Sequence, residues 1–173
     1  MIETFKRLIS NQFEASLCTV AHCVARCPDE LWNASVAKHP FCQVAFHTLF
    51  FTDFYLGPDA ESLRQQPFHL ANPRLFGDYE QLQDRDPESL YERPQIEAYL
   101  DFCRGKAVAT IAAETEEDLC APAKFARRNC SRAELHVYNM RHVQHHAAQM
   151  ILRLRLDTDV DIPWIASGWR DVG

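Results

Sequence analysis

Hydrophobic positions recur along this chain with the three-to-four-residue period of amphipathic helices, and the β-branched alternation that marks strands is missing. Four stretches carry the period. The first runs from Ile2 to Arg26, with Phe5, Leu8, Ile9, Phe13, Leu17, Val20 and Val24 on one stripe and Cys27-Pro28-Asp29 closing it. A short link around Leu31-Trp32 leads to the second, from about Pro40 to Leu56. Pro40 suits a first-turn position there, and Gly57-Pro58 is a strong stop. Phe41, Val44, Ala45, Phe46, Leu49, Phe50, Phe51, Phe54 and Tyr55 make this stretch apolar on most faces, which predicts extensive burial. The third runs from about Pro94 to Ala113, with Ile96, Leu100, Cys103, Ala107 and Ile111 on one stripe. The fourth starts near Ser131, which forms a capping box with Glu134, and continues to about Leu156.

Four such segments predict an all-α protein built as a four-helix bundle. The link from about Gly57 to Arg93 is too long for a simple turn between neighbouring helices. It could carry the chain along the bundle into a crossover topology and cover a site. Within it, Pro58, Pro67, Pro73 and Pro87 punctuate the chain, and Phe68 and Phe76 are the expected anchors. No repeat or low-complexity tract interrupts the 173 residues, so a single domain over 1–173 is expected.

The net charge of -6, with basic residues scattered and locally balanced by acids, argues against nucleic-acid binding. No apolar run is long enough for a membrane span, and the opening Met1-Ile2-Glu3-Thr4-Phe5-Lys6-Arg7 lacks the apolar core of a signal peptide. A soluble, cytoplasmic protein is expected. The seven cysteines agree: the count is odd, and Cys18, Cys23 and Cys27 do not have the spacing of a zinc knuckle. They read as buried free thiols, small hydrophobes in a reducing compartment.

Eight histidines carry the chemistry. In a helix, His142 and His146 are about 40° and one turn apart, so both can grip one ion. Leu135, Tyr138 and Gln149 fall in the same arc, and Val143, Ala147, Met150 and Leu154 fill the adjoining apolar sector. The pair therefore borders the buried seam. Chance supplies about 0.3 such pairs in a chain with this many histidines, so the motif needs context. His47 provides it, placed in the most hydrophobic helix with Val44, Phe51 and Phe54 on its own face. An unpaired polar group there would cost roughly 1–3 kcal/mol. A carbonyl, a water or a metal could satisfy it. Three inward imidazoles would form a three-histidine set with a fourth position open to water or substrate. His145 points about 100° away from His146 and is read as a flanking or surface residue. His22, His39, His69 and His136 have no partner at a useful spacing and are expected at the surface or in hydrogen bonds.

The run Phe46-His47-Thr48-Leu49-Phe50-Phe51-Thr52-Asp53, followed by His142-x-x-His145-His146-x-x-Gln149, resembles the DinB/YfiT-like family of metalloenzymes. The closing Trp164-Ile165-Ala166-Ser167-Gly168-Trp169 is similar to the tail of some members. The resemblance implies an up-down-down-up four-helix bundle, frequently a homodimer. It also implies zinc or nickel bound by the residues that match here as His47, His142 and His146. Many members have Arg-Gly where this chain has Ala147-Ala148, a departure that leaves the helix intact.

An open three-histidine zinc site can activate water, polarise a substrate oxygen or bind a thiolate. Metal-dependent hydrolysis would need a general base, for which Tyr138, His145 and Asp53 are the candidates. Metal-dependent thiol transfer, the chemistry of the wider superfamily's thiol-dependent transferases and isomerases, needs mainly the ion and a pocket for a small substrate and a low-molecular-weight thiol. Transfer is therefore the favoured expectation. A non-catalytic dimer with a structural metal is the third reading.

Overall fold

The computed structural model describes residues 1–80 and 86–171. Residues 81–85 of the long link predicted between the second and third helices lie outside the described residues. The first helix, α1 (Ile2–Arg26), has the predicted bounds and buries Ile9, Phe13, Leu17, Val20 and Val24. Leu8 departs from its stripe and stands 55% exposed. Three short elements fill the first link. A one-turn α2 (Asp29–Trp32) ends where Trp32 Nε1 donates to the Tyr91 carbonyl at 2.7 Å. Strands β1 (Ser35–Val36) and β2 (His39–Pro40) then pair antiparallel, Val36 opposite His39. Two-residue strands are too short to produce an alternation, so the sequence carried no sign of them.

Helix α3 (Phe41–Leu56) begins one residue later than predicted, because Pro40 is its N-cap and not part of its first turn. A 3-10 turn (Glu61–Gln65), α4 (Pro67–Ala71) and α5 (Pro73–Glu80) follow. Helix α6 (Arg93–Ala113) is opened by a capping box between Glu92 and Gln95, and α7 (Glu116–Cys120) by one between Thr115 and Asp118. The last helix, α8 (Arg132–Thr158), shows half of its expected box: Ser131 Oγ accepts from the Glu134 amide at 3.2 Å. It runs past Leu156 and stops at Asp159, whose φ of 58° is left-handed.

The four long helices pack as a layered all-α core, α1 against α6 and α8, and α3 against the same two. Contacts along the seams mark which ends meet. Lys6, near the start of α1, donates to the Ala112 carbonyl at the end of α6 (2.9 Å), while Arg93 at the start of α6 reaches the carbonyls of Val24 and Cys27. Asp53, late in α3, meets Tyr99 and Lys106 of α6. Arg132, the first residue of α8, forks onto the carbonyls that end α3: Nη1 donates to Tyr55 and Gly57 (both 2.8 Å) and Nη2 to Leu56 (3.0 Å). Those carbonyls have no helical partners of their own, so the guanidinium caps α3 while fixing α8 beside it. Glu114 holds the same guanidinium at 2.8 Å and meets His136 at 3.0 Å, and these partners keep its carboxyl below the usual range although burial pushes it up. One turn further, Asn139 Nδ2 donates to the Thr52 carbonyl at 2.9 Å.

Aromatic rings bind the long link to this core. Phe46 stacks on Tyr91 with centroids 3.9 Å apart and touches the rings of Phe76, Tyr79 and Tyr99. Both predicted anchors hold: Phe76 is fully buried and Phe68 stacks against both Tyr99 and Phe102. Cys18, Cys23, Cys27, Cys42 and Cys103 are buried free thiols, as expected, whereas Cys120 is exposed and Cys130 half-buried. Burial pushes Cys23 and Cys27 up to about 12, which keeps them protonated and inert. Among the described residues, no helix is long and apolar enough to cross a membrane. Replacing Phe46 with Ala empties the centre of the aromatic cluster, and a loss of about 3–5 kcal/mol of unfolding free energy is expected in denaturant titrations.

Candidate metal centre

The register set by Arg132 and Asn139 determines what faces what on the α3–α8 seam. One turn beyond Asn139, His142 meets His47 with their Nε2 atoms 3.4 Å apart. A further turn on, the His146 ring lies 4.8 Å from the His47 ring and 4.6 Å from that of His142. One nitrogen from each ring falls within 4.8 Å of the other two, an arrangement that could hold a metal ion. The donor set fits zinc. Tetrahedral bonds of about 2.0–2.1 Å put neighbouring nitrogens about 3.3–3.4 Å apart, the separation His47 and His142 already have.

Protonation favours the same role. Burial lowers the pKa of His47 to about 4 and that of His142 to about 3, with the neighbouring imidazoles adding to the effect. His146 is lowered too, again chiefly by burial. All three rings are therefore neutral at physiological pH, the form that ligates a metal. His142 Nδ1 is buried and meets no hydrogen-bond partner among the described residues. Keeping an unsatisfied ring nitrogen there costs roughly 1–3 kcal/mol, the kind of expense that persists at functional sites.

Two residues outside the triad orient it. His146 Nδ1 donates to Gln149 Oε1 at 2.9 Å, and Gln149 Nε2 donates to His145 Nε2 at 3.1 Å. The amide thus fixes the His146 tautomer with its Nε2 lone pair free, the way outer partners prepare metal-ligating imidazoles. Both predicted flanking residues, His145 and Gln149, are brought to the site by one turn of α8. The other two are not. Asp53 is fully buried and its carboxylate goes to Lys106, Tyr99 and Gln66 on the α6 side, away from the histidines. Six residues along a helix turn the side chain about 240° from His47, which explains the separation. Tyr138 Oη accepts from Arg128 Nη2 at 2.8 Å, and the same nitrogen reaches Tyr55 Oη at 2.7 Å. The four remaining histidines were expected at the surface or in hydrogen bonds: His39 is half-buried, His136 is buried in a hydrogen bond with Glu114, and His22 and His69 are buried rather than at the surface.

A cavity of about 660 Å³ opens onto His47, His146 and Gln149. Its walls come from the hairpin (Val36, Lys38, His39), from α3 (Gln43, Val44), from the long link (Tyr79, Asp86, Pro87) and from α8 (Leu152, Arg153, Leu156). The link therefore helps cover the site. Sequence reasoning missed the hairpin residues, which sit in an element without periodicity. It also missed Arg153, although its place seven residues after His146 puts it on the same helix face.

The chain is thus an all-α protein with a three-histidine cluster, able to hold a metal ion, between two of its long helices and open to a cavity. The comparison with protein families makes the assignment specific. The profile of the DinB superfamily matches residues 12–150, most of the chain, and the chain belongs to that superfamily. No significant match was found among curated proteins or among solved structures.

Two measurements test this description. In metal-free protein, the lowered histidine pKa values mean that the unfolded chain binds more protons than the folded one below pH 6.5. Their stabilising contribution is intact above that pH and is lost as pH falls toward about 4 and then 3. Melting temperatures across this window should therefore fall more steeply for the wild type than for a His47→Gln/His142→Gln double variant. Asp53→Ala leaves Lys106 with the residue-53 carbonyl and Gln66 but without its carboxylate counter-charge. It should cost about 3 kcal/mol in unfolding free energy while leaving metal content unchanged.

Proposed function

We propose that His47, His142 and His146 together hold one divalent metal ion, zinc first and nickel second, and that the site is a metal-dependent thiol transferase. The convergence of three neutral imidazoles, one with its tautomer fixed by Gln149, carries this reading. In the same reading the fold is one domain, an up-down-down-up four-helix bundle. The end-to-end contacts of Lys6 with Ala112, Arg93 with Val24, and Arg132 with the end of α3 support that order. The homodimer that goes with the family resemblance and the cytoplasmic location expected from the sequence belong to it too, and sedimentation of the purified chain tests the first.

A zinc ion held by His47, His142 and His146 would supply positive charge that favours the deprotonated form of a thiol. The chain's own residues do the rest. Gln149 holds His146 in the ligating tautomer, and the cavity beside His47 and His146 receives an electrophilic small molecule. The thiolate sulfur forms a bond to the electrophilic carbon, the leaving group departs with its electron pair, and the thiol proton passes to solvent. Hydrolysis is less well supported because the candidate bases are otherwise engaged. The Asp53 carboxylate is bound on the α6 side, Tyr138 is held by Arg128, and His145 Nε2 accepts from Gln149.

Protein purified without a histidine tag should contain one equivalent of metal, and His47→Ala should lose it while staying folded. The loaded protein should consume a low-molecular-weight thiol in the presence of an alkylating acceptor, and the stripped protein should not. Ester cleavage without thiol consumption would support the hydrolase. A metal whose removal unfolds the chain, with no turnover when it is present, would support a structural role.

A further inference from the structure

The cavity says what kind of molecule it accepts. Val44, Leu152 and Leu156 give it apolar walls beside the histidine cluster, and two cations, Lys38 and Arg153, stand in its lining against one acid, Asp86. Lys38 and Asp86 neutralise each other, 2.9 Å apart with both side chains more than 70% exposed. Arg153 is different. Its Nε is buried and lies 2.8 Å from Asp157 Oδ2, yet the two do not meet hydrogen-bond geometry. Among the described residues, nothing accepts from its Nη groups. A guanidinium presents a planar fork of donors suited to a carboxylate, and this one is held at a cavity wall with its fork unfilled.

Its position also sets a length. Arg153 follows His146 by seven residues on one helix face, which separates them by about 10 Å along the axis. We infer that the substrate is an amphipathic carboxylate of medium-chain length. Its anionic end docks on Arg153, its apolar body lies along Val44, Leu152 and Leu156, and its far end reaches His47 and His146. Only the last clause, naming the end that reacts, rests on the metal-site reading. Asp157 competes with the substrate for Arg153, so the pair acts as a weak latch that an incoming carboxylate displaces.

Octanoate and octanamide, equal in length and differing in charge, are the probes. Titration calorimetry should find octanoate bound at least about tenfold more tightly, the value of a charge-assisted hydrogen bond. Arg153→Gln should erase the preference by weakening octanoate alone, and Asp157→Asn, which removes the competitor, should strengthen octanoate severalfold. The preference should persist in chelator-stripped protein, so this test stands even where the metal reading fails. Equal binding of acid and amide, no binding of either, or a preference that survives Arg153→Gln would overturn the proposal. An Asp157→Asn variant that binds octanoate no better would do the same. A preference that disappears on stripping the metal would place the carboxylate on the ion, which also overturns it.

Discussion

The site depends on the register between α3 and α8. Two polar clasps set it, the Arg132 fork over the last carbonyls of α3 and the Asn139 amide on the Thr52 carbonyl. A shift by one residue would rotate α8 by about 100° and carry His142 and His146 away from His47. Apolar packing alone would not hold such a register, because neighbouring ridges of similar side chains accept more than one alignment. Directional hydrogen bonds to fixed backbone carbonyls do so with little tolerance. Glu114, shared between Arg132 and His136, extends the clasp toward α7.

With the register fixed, the three imidazoles occupy a seam otherwise made of aromatic and aliphatic side chains. Burial strips their hydration and keeps them neutral, while Gln149 decides which nitrogen of His146 faces inward. The same surroundings that make an unligated histidine expensive prepare it as a ligand. The long link completes the arrangement. Phe76, Tyr79 and Tyr91 gather around Phe46, on the turn of α3 that carries His47, and Tyr79, Asp86 and Pro87 form one wall of the cavity. Tyr79 therefore serves both the packing of the core and the enclosure of the site.

Much of this was legible in the sequence. The four long helices were predictable because three carry a stripe several turns long and α3 is apolar on most faces, and their ends were marked by Pro40, Gly57, Pro94 and Ser131. His47, His142 and His146 were legible from helix geometry and from the company His47 keeps, and Gln149 from its place on their arc. Asp53 and Tyr138, read as pocket candidates, have their polar atoms engaged by other residues. A motif shows which residue types are near in sequence, but not that Lys106 and Arg128, 53 and 10 positions away, claim their polar atoms. The hairpin at 35–40, the short α7 and the cavity lining escaped because elements of a few residues have no period to read. The burial of His22 and His69, and which residue His136 would pair with, escaped for a related reason. A histidine's spacing to other histidines says nothing about a partner such as Glu114 on another segment.

The central claim is that these three rings share one ion. X-ray absorption at the metal edge of protein expressed without a histidine tag tests it most directly. The account predicts one equivalent of zinc or nickel whose first shell contains three imidazole nitrogens, with one imidazole lost in His146→Ala. A first shell containing cysteine sulfur, or protein that stays metal-free when offered zinc and nickel in excess, would contradict it.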